Sequence, residues 1–586
     1  MEKHSGIFSK KYQQFASYFR ELSKESARNL FAGSQMCCLG GVLYGLSFYP
    51  PFPGNYQFLS FLLRLLTSSA GLILFCRTMA SLQPPRVLYG FIYGLSFGGA
   101  FIFASLFGIY KAFLLTGQLL LFLPCLLFLA LYWGSILGGA FAVQQLLLKE
   151  NAYDKTAQGP ARPALSSASP TSSHASTTTA GDLSKKSNIM EYLCQKTCPE
   201  PYPMFTLTFS LCWFLFEMCR GAFFLQFPWN LTAQLFAFEN ISIARVFIQI
   251  IHLCGSVFLS ALWVMFLASF FCDRSVSLRI VTGTSMVGVV VFGVVMLSKP
   301  AVVGEKVVPL LIIQPNVSQE TKLIKENQAS ITKEMISLLN KYKKNSNKVA
   351  PKMVIFPETA ITQFITTSSN IISKIQAAAG DSVVVFGADR IDPAVKTPKW
   401  YNSMFIVSKK GVERVYDKIK LLPFGEYVPL RTVFPTLFSS ATNSIDCTPG
   451  TNSASVSIPG IPQFQARICS EMMHKQTKQT HAKVRVRRGR RKSGALLLLL
   501  QECAPERVDP NNKWTLQILN DGWFARPILW QHLAVDRLRV IESGVPLVRV
   551  ANTGISCMID GKGEVTDMIP PGTQAGRMVM LTDTTR

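Results

Sequence analysis

Residues 354–361 read VIFPETAI, a short apolar run that turns polar at Glu358. Residues 466–471, ARICSE, show a similar change, because a short β-rich run ends there at Cys469. Short apolar runs bounded by polar or turn-forming residues are typical of buried strands. Since sites in open α/β sheets gather at strand ends, the two segments predict that separate loops bring Glu358 and Cys469 together.

The rest of residues 305–586 repeats this pattern of short β-rich runs, with helical patterns between some of them. Such alternation predicts a layered α/β domain. One further run, LQILNDGWF, ends in the polar pair Asn520-Asp521. The predicted helices are Gln319–Tyr342 and Trp530–Ser543, and the predicted strands are Val307–Gln314, Met353–Phe356, Val383–Gly387, Met404–Val407, Gln465–Ile468, Leu516–Leu519 and Leu547–Val550.

Lys418 is a third candidate, in the Pro- and Gly-containing segment YDKIKLLPFGEYVP at 416–429. A thiol becomes a strong nucleophile as the thiolate, so it needs a base and a nearby cation. Glu358 can take the proton of Cys469, and Lys418 can stabilise the thiolate and then an oxyanion, together with the backbone N–H after the cysteine. Each residue alone would suit a core or a solvated face, but the three together predict acyl transfer through a thioester.

The chain has the composition of a membrane protein, and its N-terminal half carries long apolar runs. Of its 586 residues, 49% are hydrophobic and 16% are charged, against about a quarter charged in soluble proteins. A membrane span needs about 20 mostly apolar residues, and hydropathy predicts about seven such spans. They are 30–49, 57–76, 87–110, 119–148, 204–222, 243–271 and 280–298.

Basic residues between these spans predict their orientation, because cytoplasmic loops collect Lys and Arg. Arg77 and Arg86 lie between the second and third spans, and Arg274 and Arg279 lie between the last two, whereas residues 50–56 contain neither residue type. An odd number of spans then predicts that everything after the last one is on the outer side. The net charge of +25 is interpreted as topology signals and solvated loops. Nucleic acid is not predicted as a partner, because readers of nucleic acid gather charge on a folded face.

These observations divide the chain into five parts. A Ser/Thr/Ala/Pro-rich stretch around residues 154–187 cannot bury a core and is interpreted as a disordered linker. No metal site is predicted, because the cysteines lack metal-binding spacing. The parts are a basic segment at 1–29, spans one to four at 30–148, a low-complexity cytoplasmic linker at 149–203, spans five to seven at 204–299, and a catalytic domain at 305–586.

The segments FPETAI, DKIKLLPFGEYVP and ICSE, in this order, resemble the nitrilase superfamily. Joined to several spans, they resemble the bacterial apolipoprotein N-acyltransferases, and the likeness continues through FPWNLTAQ, QPNVSQETK and the long segment that begins NDGWF. The resemblance implies an α-helical multi-span membrane domain followed by an α-β-β-α sandwich. It implies catalytic roles for Glu358 as general base, Lys418 as oxyanion partner and Cys469 as nucleophile, with support from Glu426, Ser470 and Glu471.

The resemblance also implies the substrates and the location. The acyl donor would be a membrane phospholipid, such as phosphatidylethanolamine, and the acceptor would be the amine of a diacylglyceryl-cysteine that begins a lipoprotein. The reaction would need no cofactor. The enzyme would be a multi-pass protein of the bacterial inner membrane with its catalytic domain on the periplasmic side, in agreement with the distribution of basic residues.

Four places depart from the family pattern. Ser470 stands where the family typically has Tyr, Leu323 stands where an aromatic residue often lies in a mobile arm, and the chain reaches Arg586 without the usual final membrane helix. An insertion at about 474–513 contains the basic run KQTKQTHAKVRVRRGRRK at 475–492. The residues leave three interpretations of this run open: a solvated insertion, a tract that binds anionic headgroups, or a local reading-frame change.

Two other functions are compatible with the sequence. A membrane-tethered, nitrilase-like amidase or hydrolase would use the same three residues with water as the final acceptor, although such a reaction needs no access to lipid. A non-enzymatic transporter ranks last, because residues 30–298 show no convincing internal repeat.

Overall fold

The computed structural model describes residues 24–50, 56–82, 84–157, 204–222, 226–273, 275–300, 307–345, 349–366, 369–392, 399–427, 446–475, 502, 504–506 and 508–582. Most of the predicted basic segment, most of the predicted linker and nearly all of the basic run lie outside these residues. The predictions made for those three segments therefore stay predictions.

The N-terminal half is helical, as expected where apolar residues occupy most positions around each helix. The helices are α1 (Lys24–Leu46), α2 (Gln57–Ala80), α3 (Val87–Leu106), α4 (Tyr110–Leu115), α5 (Leu119–Ala157), α6 (Phe205–Ala222), α7 (Ser242–Ile248), α8 (Ile251–Cys254), α9 (Ser256–Phe271) and α10 (Val276–Ser298).

Four helical segments of the described residues are long and apolar enough to cross a membrane. The predicted spans at 30–49 and 204–222 also contain helices, α1 and α6, and the total of seven spans stays a prediction. The region predicted as one span at 243–271 instead contains α7, α8 and α9, and Gly255 with φ +79° separates the last two. The four segments are Gln57–Ala80, Val87–Leu115, Leu119–Glu150 and Val276–Ser298.

The C-terminal half contains thirteen described strands in two sheets. The first sheet has the order β13-β1-β2-β4-β5-β6, with β3 paired to β4, and the second has the order β12-β11-β10-β9-β8-β7. The strands are β1 (Val307–Gln314), β2 (Met353–Ile355), β3 (Ile361–Ile365), β4 (Val383–Asp392), β5 (Lys399–Ser408), β6 (Gly411–Asp417), β7 (Ser455–Ile458), β8 (Ile461–Ile468), β9 (Trp514–Leu519), β10 (Leu547–Ala551), β11 (Ser556–Ile559), β12 (Val565–Ile569) and β13 (Ala575–Thr582).

The two sheets pack face to face and helices cover their outer faces. Alternate residues of each strand point inward, so Leu310 and Ile355 of the first sheet meet Phe464 and Ile518 of the second in one apolar core. The short helix α11 (Gln319–Leu323) follows β1. Helices α12 (Gln328–Asn345) and α13 (Asn370–Ala379) cover the first sheet, and α14 (Arg526–Ser543) covers the second. The predicted α-β-β-α sandwich behind a helical membrane domain is confirmed.

Helix α14 also joins the two halves of the protein. Leu533 and Val540 pack on the second sheet, whereas Ala534, Val535 and Leu538 belong to the apolar core of the membrane helices. One helix is therefore shared by both cores, which fixes the sandwich against the membrane half.

Candidate active site

The strands that precede the three predicted catalytic residues end at corresponding edges of the two sheets. In the first sheet β2 and β4 are parallel, and β6 has the direction of β4 because both pair antiparallel with β5. In the second sheet β8 and β9 are parallel. Glu358 follows β2, Lys418 follows β6 and Cys469 follows β8, so the strand order carries all three to the carboxyl ends of their sheets.

Glu358 is buried and held by two hydrogen bonds. Its Oε1 accepts from the Asn402 side chain at 2.6 Å, and its Oε2 accepts from the backbone N–H of Asn520 at 2.6 Å. Burial raises the pKa of Glu358, and the Lys418 ammonium and these hydrogen bonds oppose the rise. A carboxylate with a raised pKa is a suitable general base near neutral pH.

The backbone around Glu358 is tightly constrained. Thr359, the next residue, has φ +48°, a left-handed conformation that β-branched residues rarely adopt. Strand β4 passes so close that a Cβ on Gly387 would lie 2.5 Å from the Cα of Glu358. Glycine at 387 is therefore required by close approach of the two backbones, and both features fix the direction of the Glu358 side chain.

Lys418 lies buried between carboxylates. Its Nζ is 2.9 Å from the Glu426 carboxylate, and Glu426 also accepts from Asn402 at 2.9 Å and from the backbone N–H of Leu422 at 2.8 Å. Burial opposes the charge of Lys418, but Glu426, Cys469 and Glu358 outweigh burial and raise its pKa. Lys418 therefore stays protonated, which suits a group that stabilises negative charge.

Cys469 begins a short 3-10 turn, Cys469–Met473, directly after β8. Its φ is +49°, so the backbone turns sharply at the thiol, and its carbonyl oxygen accepts from the Gln517 side chain at 3.0 Å. Burial raises the pKa of Cys469, Glu358 adds to the rise and Lys418 opposes it. A thiol with a raised pKa stays protonated at rest, so it would need a base to accept its proton before acting as a nucleophile.

Ser470 and Glu471 follow Cys469 directly and differ in their contacts. The Glu471 carboxylate accepts from the Tyr416 hydroxyl at 2.9 Å and from the backbone N–H groups of Ile419 at 2.8 Å and Ile468 at 2.8 Å. It therefore ties the loop of Lys418 to the turn of Cys469. The Ser470 side chain is buried, and its hydroxyl has no hydrogen-bond partner among the described residues.

Three site residues were missed by sequence analysis. Asn402 lies within β5 and Lys322 within helix α11 (Gln319–Leu323), and neither is marked by a change from apolar to polar sequence. Asp389 lies opposite Asn402 in the β4–β5 pair, and burial raises its pKa to about 6. The rule applied at Glu358 would have found Asp389, because VVVFGAD also turns polar at its end.

The loop that carries Lys418 and Glu426 contacts the membrane helices. The ring of Phe424 meets the ring of Phe128 in α5 edge to face, with centroids 6.2 Å apart, and the Lys420 ammonium donates to the Gln226 side chain at 3.1 Å. The loop of Lys418 therefore lies next to the part of the protein that lipid would surround.

Comparison with known proteins finds a family match in each half of the chain. Residues 313–576 match the family model for carbon-nitrogen hydrolases, and residues 188–270 match the model for the N-terminal domain of apolipoprotein N-acyltransferases. The chain is a relative of the apolipoprotein N-acyltransferases. The resemblance inferred from the sequence segments is therefore confirmed. The family and the apolar helices together show that the chain is a membrane protein.

Curated apolipoprotein N-acyltransferases give the extent of the similarity. The enzyme of Agrobacterium fabrum is 27% identical over 382 residues, which are 62% of this chain and 64% of that protein. The enzyme of Allorhizobium ampelinum is 28% identical over 283 residues, 47% of this chain and 48% of that protein. The enzyme of Sinorhizobium fredii is 30% identical over 295 residues, which are 46% of this chain and 49% of that protein. The chain thus spans about half to just under two thirds of these relatives.

Proposed function

We propose that the chain transfers a fatty acyl group from a membrane phospholipid to the N-terminal amine of diacylglyceryl-cysteine on lipoproteins. The observation that carries this proposal is a buried carboxylate, ammonium and thiol, with the loop of the ammonium packed against membrane helix α5 through Phe424. An enzyme acting on small soluble amides needs no such contact. The names of the curated relatives support the same substrate class.

In the first half-reaction, Cys469 takes the acyl group from the phospholipid. The Glu358 carboxylate accepts the thiol proton while Sγ attacks the ester carbonyl carbon. The ammonium of Lys418 and the backbone N–H of Ser470 stabilise the oxyanion that forms. When the ester C–O bond breaks, the glycerol oxygen takes the proton from Glu358, and lysophospholipid leaves an acyl-thioester behind.

In the second half-reaction, the amine of the acceptor attacks the thioester. Glu358 accepts a proton from the amine nitrogen, an amide bond forms and the C–S bond breaks. The departing sulfur of Cys469 takes the proton back from Glu358, which restores the starting state. The same carboxylate thus acts as base and then acid in each half-reaction.

We propose further that the catalytic domain lies on the periplasmic side of the bacterial inner membrane. The support is the distribution of Lys and Arg between the apolar segments, which places the basic loops in the cytoplasm. Lipoprotein acceptors that have crossed the membrane would then meet the site directly.

The test is a Cys469→Ala variant of the full chain in detergent with a phospholipid whose acyl chain is labelled. The wild type should form a hydroxylamine-sensitive acyl-protein and, after addition of a diacylglyceryl-cysteine peptide, an N-acylated peptide, whereas the variant should form neither. Cys557→Ala, which removes another buried thiol of the same domain, should keep both products. N-acylation by the Cys469→Ala variant would refute the proposal, and acyl release to water without amide product would favour a hydrolase.

A further inference from the structure

A short helix next to the site turns two polar side chains inward. The hydroxyl of Ser318 caps α11 by accepting from the backbone N–H of Thr321 at 3.1 Å. Gln319 and Lys322 are 4% and 6% exposed, whereas Leu323, the next residue, is 46% exposed. Burial of a lysine without compensation is unfavourable, so the inward direction of Lys322 needs partners at the site.

The partners belong to the turn that carries Glu358. The Nζ of Lys322 donates to the carbonyl oxygen of Thr359 at 3.0 Å and lies 3.4 Å from the Thr359 hydroxyl. The side chain of Asn520 donates to Gln319 at 2.9 Å and to the Thr359 hydroxyl at 3.1 Å, while its backbone N–H donates to Glu358. Helix α11 is therefore hydrogen-bonded to Thr359, the residue after Glu358. It is also hydrogen-bonded to Asn520, whose backbone N–H donates to the Glu358 carboxylate.

We propose that Lys322 is a positioning residue that holds the left-handed turn at Thr359 and so aims the carboxylate of Glu358 at the thiol of Cys469. The inference rests on the proposed function, because it assumes that Glu358 is the base. A left-handed β-branched residue persists where its surroundings hold it, and the two hydrogen bonds from Lys322 supply that restraint. Lys322 does not touch the reacting atoms.

The charge of Lys322 adds a second effect that depends on pH. Burial lowers the pKa of Lys322 to about 7, and the carboxylates of Glu358, Asp521 and Asp389 oppose this change. Below that pH the Lys322 ammonium stabilises the ionised form of Glu358, as the Lys418 ammonium does, whereas the Glu426 carboxylate raises the pKa of Glu358. Above it, a neutral amine still donates hydrogen bonds to Thr359. Positioning should therefore persist at all pH values, and the electrostatic effect should be confined to the acid side.

The test compares Lys322→Met with wild type in the full chain, with labelled phospholipid at about pH 6 and about pH 8. At the higher pH, thioester formation should fall about tenfold or more with an unchanged KM for phospholipid, because a small displacement of a catalytic group is costly. At the lower pH the loss should be larger. Lys322→Arg, which keeps donors, should recover part of the rate, and Lys325→Met, at an exposed lysine of the following turn, should behave as wild type.

Two further variants keep the inference falsifiable. Thr359→Val removes the hydroxyl that bonds both Lys322 and Asn520, and it should lower the rate several-fold even if Lys322→Met does not fold. Glu358→Gln separates the two proposals. A fully active Glu358→Gln variant would overturn the proposed function, whereas an inactive Glu358→Gln variant beside wild-type rates and pH profiles for Lys322→Met and Thr359→Val would overturn this inference alone.

Discussion

At the scale of single residues, Asn402 determines how the buried carboxylate of Glu358 and the partly buried carboxylate of Glu426 share the site. Its side chain donates to Glu358 at 2.6 Å and to Glu426 at 2.9 Å. Asn402→Leu removes both bonds, so the pKa of Glu358, already raised by burial, rises further and less of the base is ionised at neutral pH. A hydrogen bond to a charged group contributes about 1.5–3 kcal/mol, which corresponds to about tenfold or more in rate.

The rate of thioester formation, measured across the neutral pH range, tests this expectation. The acid limb of the profile should move to higher pH in Asn402→Leu, and raising the pH should restore part of the rate. Asn511→Ala, at an exposed asparagine, is the control and should leave the profile unchanged. A uniform loss at every pH would mean that Asn402 acts through packing and does not control the base.

Glu358, Lys418 and Cys469 could be chosen as candidates from the sequence because each stands at the end of a short β-rich run or in a Pro- and Gly-containing loop. Asn402 and Lys322 could not, because their importance arises from contacts between distant residues. Lys322 meets a residue 37 positions away, and nothing in the local pattern QETKL separates it from an exposed lysine.

At the scale of elements, the close passage of β4 beside the turn after β2 limits what residue 387 can be. Gly387→Ala would place a methyl group within contact of backbone atoms of Glu358 and Thr359, so the two elements must move apart. Overpacking of this kind costs about 1–3 kcal/mol. We expect a lower unfolding temperature and a fall in thioester formation greater than the loss of stability alone would cause, because the displaced turn carries Glu358, the proposed base.

Thermal unfolding and the rate of thioester formation, measured on the same preparation, check this prediction. Gly139→Ala in α5 is the matched control, because an added Cβ there meets no atom within 4 Å. Activity equal to wild type in Gly387→Ala would show that the turn tolerates displacement.

Element boundaries could be predicted where a segment is buried regularly, but not where the chain bends toward the candidate site. Strand β1 has the predicted bounds, Val307–Gln314, because an apolar run ends at a loop. The predicted helix Gln319–Tyr342 is instead two helices, α11 and α12, separated by a 3-10 turn at Lys325–Asn327. Ile324 is extended, with ψ 116°, and this break lets α11 turn toward the site while α12 keeps its apolar face on the first sheet.

At the scale of the whole molecule, the position of α14 between the membrane helices and the sandwich could not be predicted from the sequence pattern. Hydropathy and strand alternation predicted the two halves separately, but neither predicts a helix buried on both sides. Such a helix has no single apolar stripe. Polar side chains of α14, RPILWQHLAVDRLRVIES, form hydrogen bonds with residues of the membrane half. Arg537 donates to the carbonyl oxygens of Ala237 and Glu239 at 2.5 and 2.7 Å, and Glu542 accepts from the backbone N–H of Ser256 at 2.8 Å.

Gln531 is the residue of α14 whose loss should uncouple the halves most directly. Its Oε1 accepts from Trp229 at 2.7 Å and from Asn230 at 3.3 Å, and its Nε2 donates to the carbonyl oxygen of Ser105 at 3.2 Å. Gln531→Leu roughly keeps the side-chain volume but removes these three hydrogen bonds. Each buried group left unpaired lowers the free energy of unfolding by about 1–3 kcal/mol. The unfolding temperature in detergent should fall by several degrees, and thioester formation should fall with it because the site would no longer be held against the lipid-facing helices. Gln328→Leu, at a half-buried position at the start of α12, is the control, and an unfolding temperature equal to wild type in Gln531→Leu would show that the junction does not depend on this polar network.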